Sequence, residues 1–202
     1  MSEQTPLSLG TEDIKKLLMR YAVPAIVAMT AASLYNMMDS IFIGHGVGAL
    51  GIAGLAVTFP FINLAAAFGS LVGVGASTLV SVKMGQKDLK SAEAVLGNVL
   101  LLNTVIGFLF MTVCLIFLDP ILYFFGASAD TLPYARDYMK VILYGNLITH
   151  IYMGLNEVMR ASGYPQRAMM ATLFAVLING VLNALFIFVL DMGIKGAAIA
   201  SV

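Results

Sequence analysis

Asp39 is an acid set in a run of residues that otherwise belong in hydrocarbon. An ionised carboxylate at mid-membrane costs at least ~2.5–3.5 kcal/mol on insertion scales, so such a residue ordinarily faces a cavity and handles an ion or a proton. The alternative is a helix end among the headgroups, and the stretch from Leu17 to Asp39 is long enough to put it there. Tyr35 and Asn36 stand four and three positions earlier and share its helical face. Asn179 and Asn183 form a second polar group, one turn apart on one face of a later apolar segment. Their amides suit either of two tasks. They offer oxygens to a cation such as Na+ (with Asp39) or hydrogen bonds to a carboxylate, or they tie helices together, worth roughly 0.6–2 kcal/mol each in a bilayer. Ser201 adds a further oxygen.

Other polar residues in apolar surroundings read differently. His150 is more simply a hydrogen-bonding contact between helices than a proton relay. Asn63 and Asn103 read as interhelical contacts too. Glu157 and Arg160, three apart, read as a local ion pair. Met38 and Met153, with Met37 and Tyr152, would form a pliable wall for greasy ligands. No nucleophile–base pair emerges, and there is no GxSxG, HExxH or P-loop pattern; GVGAST, from Gly73 to Thr78, lacks the third glycine of a phosphate cradle. The single cysteine, Cys114, excludes an internal disulfide and a CxxC site. No metal cofactor or organic cofactor is expected.

The elements that position these residues follow from composition. Of the 202 residues, 60% are hydrophobic and 11% charged, against roughly 45–50% and 25% in soluble domains. Mean hydropathy is +0.93. A soluble enzyme is excluded, and with 11 basic and 11 acidic residues and no basic cluster, nucleic acid is an unsuitable partner. Residues 21–38, 40–82, 94–118, 141–156 and 168–190 carry no Asp, Glu, Lys or Arg. A helix needs about 20 apolar residues to cross a bilayer, and only helices satisfy their backbone amides within such a segment. The chain is therefore an all-α integral membrane protein, a helical bundle in the lipid bilayer. A polar cytoplasmic segment 1–13 precedes spans at roughly 14–43, 50–82, 94–118, 133–159 and 165–190. A sixth, 193–202, is too short to cross, so the chain is expected to be a fragment. The glycine-rich Gly44–Gly51 supplies the first turn. Pro133 and Pro165 suit helix starts, where a missing amide proton costs little, while Pro24 and Pro60 fall inside spans and should bend them.

Basic residues predict the orientation. With the N-terminus inside, the inner side holds Lys15, Lys16, Arg20, Lys83, Lys87, Lys90, Arg160 and Arg167, and the outer side only Arg136, Lys140 and Lys195. The expected location is the cytoplasmic membrane, crossed several times.

Five stretches in this order resemble the N-terminal half of the multidrug and toxic compound extrusion (MATE) family. They are Pro24 followed by NMMDSIFIG, then GVGASTLVSVKMGQKDLKSAEAVLGN, EVMRASGYPQRAMM, LINGVLNALFIF and GIKGAAIASV. The resemblance implies one six-helix lobe of a two-lobe transporter, with five complete spans and the start of a sixth, and a missing C-terminal lobe. It implies export of small organic cations and drugs in exchange for protons or sodium ions by alternating access. It assigns Asp39 to the first-span acid of a cation site, Asn179 to its fifth-span asparagine and Ser201 to a sixth-span threonine. Asn183 falls where many members carry a second acid, a departure that suits a monovalent ion or a single proton. Pro24 matches a first-span proline linked to bending. Competing readings are a lipid-linked oligosaccharide flippase of the same superfamily, disfavoured by the scarcity of basic residues in the spans, and a non-transporting or dimerising half-transporter.

Overall fold

The computed structural model describes residues 13–202. Of the expected polar N-terminal segment only Asp13 falls within them. Its side chain accepts a hydrogen bond from the Lys15 amide at 3.1 Å and opens α1, Ile14–Gly46. The chain turns at Val47 and Gly48, where Gly48 adopts a φ of 93° that a side chain would resist. It returns as α2, Ala49–Gly85. Asp88 caps α3, Leu89–Ile116, by accepting from the Ser91 amide. Then come a short α4, Leu118–Phe124, and a long α5, Leu132–Ala161, with Pro133 in its first turn. Helix α6 starts on Pro165 and runs to Ala184, continuing as a π-turn over Leu185–Val189, and α7 covers Gly193–Ser201. Neither Pro24 nor Pro60 interrupts its helix.

Four of these helices, α1, α2, α3 and the segment Pro165–Val189, are long and apolar enough to cross a membrane. Helix α5 is about 45 Å long at 1.5 Å per residue but more polar, and its position explains why. It packs on α2, α3, α6 and α7, so much of its surface meets protein, while Tyr144 and Ile148 stay exposed. Its buried side chains include Tyr138, Asn146, His150 and Asn156.

Small residues bring α2 and α5 together. Gly54, Ala65, Gly69, Gly73 and Ala76 are buried along α2. Gly54 faces Tyr134 and Ala135, Gly69 faces His150 and Met153, and Gly73 lies against the backbone of Gly154. Such close backbone approach drives helix association where lipid removes the hydrophobic effect between helices. A core of Phe61, Leu122, Met139 and Leu143 fills one end of the bundle, joined by Ile187 of the π-turn and Ala197 of α7. Outward-facing apolar residues such as Leu109 and Ile116 on α3 and Phe174, Leu177 and Val181 on α6 stay exposed, as hydrocarbon-facing surfaces do.

A carboxylate and amide cluster at the cavity wall

Asp39 sits on the face of α1 turned toward α5 and α6. It is only 4% exposed although it is charged chemistry in an apolar bundle. Two donors meet it. Nδ2 of Asn183 donates to Oδ1 at 3.0 Å, and the Tyr138 hydroxyl donates to Oδ2 at 3.2 Å. Hydrogen bonds to an ionised group are worth more than neutral ones and offset part of the cost of burial. The second proton of the Asn183 amide goes to Oδ1 of Asn179 at 3.0 Å. The one-turn spacing of the two asparagines on α6 makes that contact possible. Nδ2 of Asn179 then reaches α7, donating to the Ala200 carbonyl at 3.0 Å and to the Ser201 hydroxyl at 3.5 Å. Ser201 donates in turn to the Ala197 carbonyl. Asp39, Asn179, Asn183 and Ser201 thus form one connected cluster across α1, α6 and α7. The Asn183 carbonyl oxygen is buried and accepts no hydrogen bond among the described residues.

A cavity of about 310 Å³ opens beside the cluster, at the small end of the range for ligand pockets, roughly 300–1,000 Å³. Tyr35, Asn36, Asp39 and Ser40 of α1 line it, with Phe59 and Asn63 of α2 and Ser201 of α7. From α5 come Tyr138, Ile142, Asn146, Thr149, His150 and Met153, a single face at helical spacing. Tyr35, Asn36, His150 and Met153 are therefore where a cavity wall requires them.

Met38 is not. It follows Met37 and precedes Asp39, so the helical turn of 100° per residue carries it away from the cavity. Its terminal methyl lies beside Gly180 of α6. Met37 is exposed, and Tyr152 points at Thr172 of α6, where the two hydroxyls meet at 3.1 Å. His150 also departs from expectation. Its Nδ1 donates to the Asn146 carbonyl of its own helix at 2.9 Å, not to another helix, and its ring lies 6.0 Å from that of Phe110. Nε2 is left buried with no partner among the described residues. Asn103 was expected to bond across helices. It is fully buried, admitted by the missing side chain of Gly154, and neither its amide nitrogen nor its oxygen is hydrogen bonded. Asn63 lines the cavity. Arg160 does pair with Glu157, at 3.0 Å, and also with the Asn156 oxygen.

Tyr138 escaped the sequence reading because it is 99 positions from Asp39. The signal was present in the spacing of Tyr138, Asn146 and His150, polar side chains eight and four residues apart on one helical face, with Ile142 between the first two. Among the described residues no three His, Cys, Asp or Glu side chains gather as a metal site would require. The one acid is surrounded by neutral oxygens and amides. Such a set holds a proton or a monovalent cation more readily than a divalent one, which favours several carboxylates.

Known proteins resemble this chain over its whole length. The multidrug export protein MepA of Staphylococcus haemolyticus is 29% identical over 201 residues, covering 100% of this chain and 44% of that protein. MepA of Staphylococcus aureus is 27% identical over 186 residues, 92% of this chain and 41% of that protein. Among solved structures, the outward-facing conformation of a multidrug resistance MATE family transporter of the MOP superfamily superposes with a TM-score of 0.91 at 28% identity, over 100% of this chain and 44% of that one. A MOP superfamily transporter from Pyrococcus furiosus, for which a reversed polarity of the binding pocket suggests a different function, superposes with a TM-score of 0.90 at 28% identity, again over 100% and 44%. The chain thus spans about half the length of the relatives it matches. The MatE family model matches residues 24–185, and with this helical lobe behind it the chain belongs to the MATE family of membrane transporters, not to the enzymes.

Proposed function

We propose that this chain forms one lobe of a secondary antiporter that exports small organic cations and drugs across the cytoplasmic membrane in exchange for protons or sodium ions, its N-terminus on the cytoplasmic side. The observation that carries the reading is the burial of Asp39 at the wall of a drug-sized cavity, held by donors from two other helices. Eight basic residues at one end of the bundle against three at the other support the orientation. The names of the MepA relatives support multidrug export.

Coupling comes from differential affinity, since a ligand that binds two states equally shifts neither. With Asp39 ionised, the Asn183 and Tyr138 donors satisfy it and its charge attracts a cation entering the cavity. With Asp39 neutralised, those donors lose their charged acceptor, and the tie between α1, α5 and α6 weakens. A proton achieves this without rearranging the amides. A sodium ion requires the Asn183 amide to turn, so that its unpartnered oxygen faces the ion.

The test is Asp39→Asn in the full-length transporter carrying this lobe, reconstituted in liposomes and assayed for efflux of a fluorescent cationic dye under an imposed proton gradient and, separately, a sodium gradient. Loss of gradient-driven efflux is expected, and the gradient that drives the unmutated protein identifies the ion. Unchanged efflux with both gradients removes Asp39 from the mechanism.

A further inference from the structure

At the end of the bundle opposite the Lys83–Lys90 loop, the corner between α3 and α4 meets the first two turns of α5. An open cleft of about 370 Å³ lies there, lined by Leu115, Ile116, Leu118, Asp119, Arg136 and Lys140. The two basic residues are four apart on α5 and share a face. Asp119 engages Arg136 through two hydrogen bonds, from Nε at 2.7 Å and from one terminal amino group, and so neutralises it. The other terminal amino group of Arg136 takes part in no hydrogen bond among the described residues. Lys140 has neither an ion pair nor a hydrogen bond among them. The neighbouring acid, Asp137, is already held by Lys195 at 3.3 Å. The cleft therefore carries one uncompensated positive charge and spare N–H donors above an apolar floor.

That floor continues. Leu102, Val105, Leu109, Val113 and Ile116 are exposed on α3 at intervals of three and four residues, which makes one straight stripe from mid-helix into the cleft. Phe117, Tyr123 and Phe124 are exposed beside it, and a tyrosine is favoured at a membrane–water boundary. A positive cleft at the headgroup level with an apolar track below it matches a molecule with a phosphodiester at one end and acyl chains at the other.

We propose that this cleft binds the headgroup of an anionic phospholipid, with Lys140 and the free amino group of Arg136 on the phosphodiester and an acyl chain along the α3 stripe. A lysine at the membrane surface contributes roughly a fivefold gain in affinity for an acidic lipid. Lys140 is exposed and has no ion pair or hydrogen bond among the described residues, so its replacement is expected to leave folding intact.

The full-length protein in detergent is titrated with phosphatidylglycerol, phosphatidylcholine or inorganic phosphate, and bound lipid is counted by native mass spectrometry. Phosphatidylglycerol is expected to remain bound, with retention falling roughly fivefold in Lys140→Gln and further in Lys140→Glu. Lys90→Gln, a charge change of equal size at the opposite end of the bundle, is expected to leave it unchanged. Equal retention in Lys140→Gln and the unmutated protein overturns the proposal. So does an equal loss in Lys90→Gln, which would mean bulk charge, or binding of phosphate alone with the same dependence on Lys140, which would mean a soluble anion.

Discussion

Gly73 on α2 offers a quantitative test of the helix contact that frames the cavity. A β-carbon added there would stand 2.8 Å from the Cα of Gly154 and 3.1 Å from its carbonyl oxygen. Both are backbone atoms of a buried helix, so no rotamer change relieves the clash. Ordinary contact begins at 3.4 Å, and α2 and α5 must separate by about 0.6 Å, in an interior packed too densely to absorb it freely. Gly73→Ala should therefore destabilise the protein by about 1–3 kcal/mol, the usual cost of overpacking. Two neighbouring glycines serve as internal controls. At Gly69 the same addition meets the Met153 sulfur at 3.1 Å and the His150 ring at 3.3 Å, side chains rather than backbone, so Gly69→Ala should cost less. At Gly75 nothing lies within 4 Å, and Gly75→Ala should be neutral or stabilising by up to about 1 kcal/mol through helix propensity. Denaturant titration of the three purified variants in one detergent ranks them. Equal stability of Gly73→Ala and Gly75→Ala would refute the close approach of α2 and α5 and the reasoning built on it.

Two further outcomes concern the site and the caps. Tyr138→Phe removes one donor to Asp39 and keeps the ring, so dye efflux should fall and stability should drop by about 1–3 kcal/mol in denaturant titration. Asn183→Leu strips a donor from both Asp39 and Asn179, and should cost about 1–3 kcal/mol in denaturant titration besides impairing efflux. At the start of α3, the Ser91 side chain and amide hold the Asp88 carboxyl below the usual carboxylate range, with Lys83 contributing less. A depressed value means stabilisation that is complete above the unfolded carboxylate value and lost as pH falls through the folded one. Hydrogen exchange in the first turn of α3 should stay slow through mild acid and quicken only below the ordinary carboxylate range. Early loss near neutrality would argue against the cap.

The helical bundle was legible because charge-free runs of membrane length admit little else. Helix α5 was also drawn as a span from the charge-free centre between Val141 and Asn156, although its polar stripe lowers its hydropathy below that of its neighbours. The short α4 and the π-turn at Leu185–Val189 were not foreseen. Seven residues carry too little periodicity to announce a helix, and one wide turn leaves no compositional mark. Within the candidate site, Asn179 and Asn183 could be placed on one face from their spacing, but spacing within a helix says nothing of which helix lies opposite. That is why Tyr138 was missed and Met38 was placed one residue too generously around α1. His150 illustrates the remaining difficulty. Its neighbours in sequence permit several partners, and the glycines of α2 and α3 that press against it, Gly69 and Gly107, decide where the ring goes.

The amide chain from Asp39 through Asn183 and Asn179 to α7 has one further implication. Carboxamide groups keep their hydrogens at any physiological pH, so this chain clamps three helices together yet conducts nothing. Whatever neutralises the carboxylate then reaches it through the cavity that Tyr35, Asn36 and Tyr138 line with it. In the antiport we propose, the driving ion and the cargo consequently share one corridor and take turns in it.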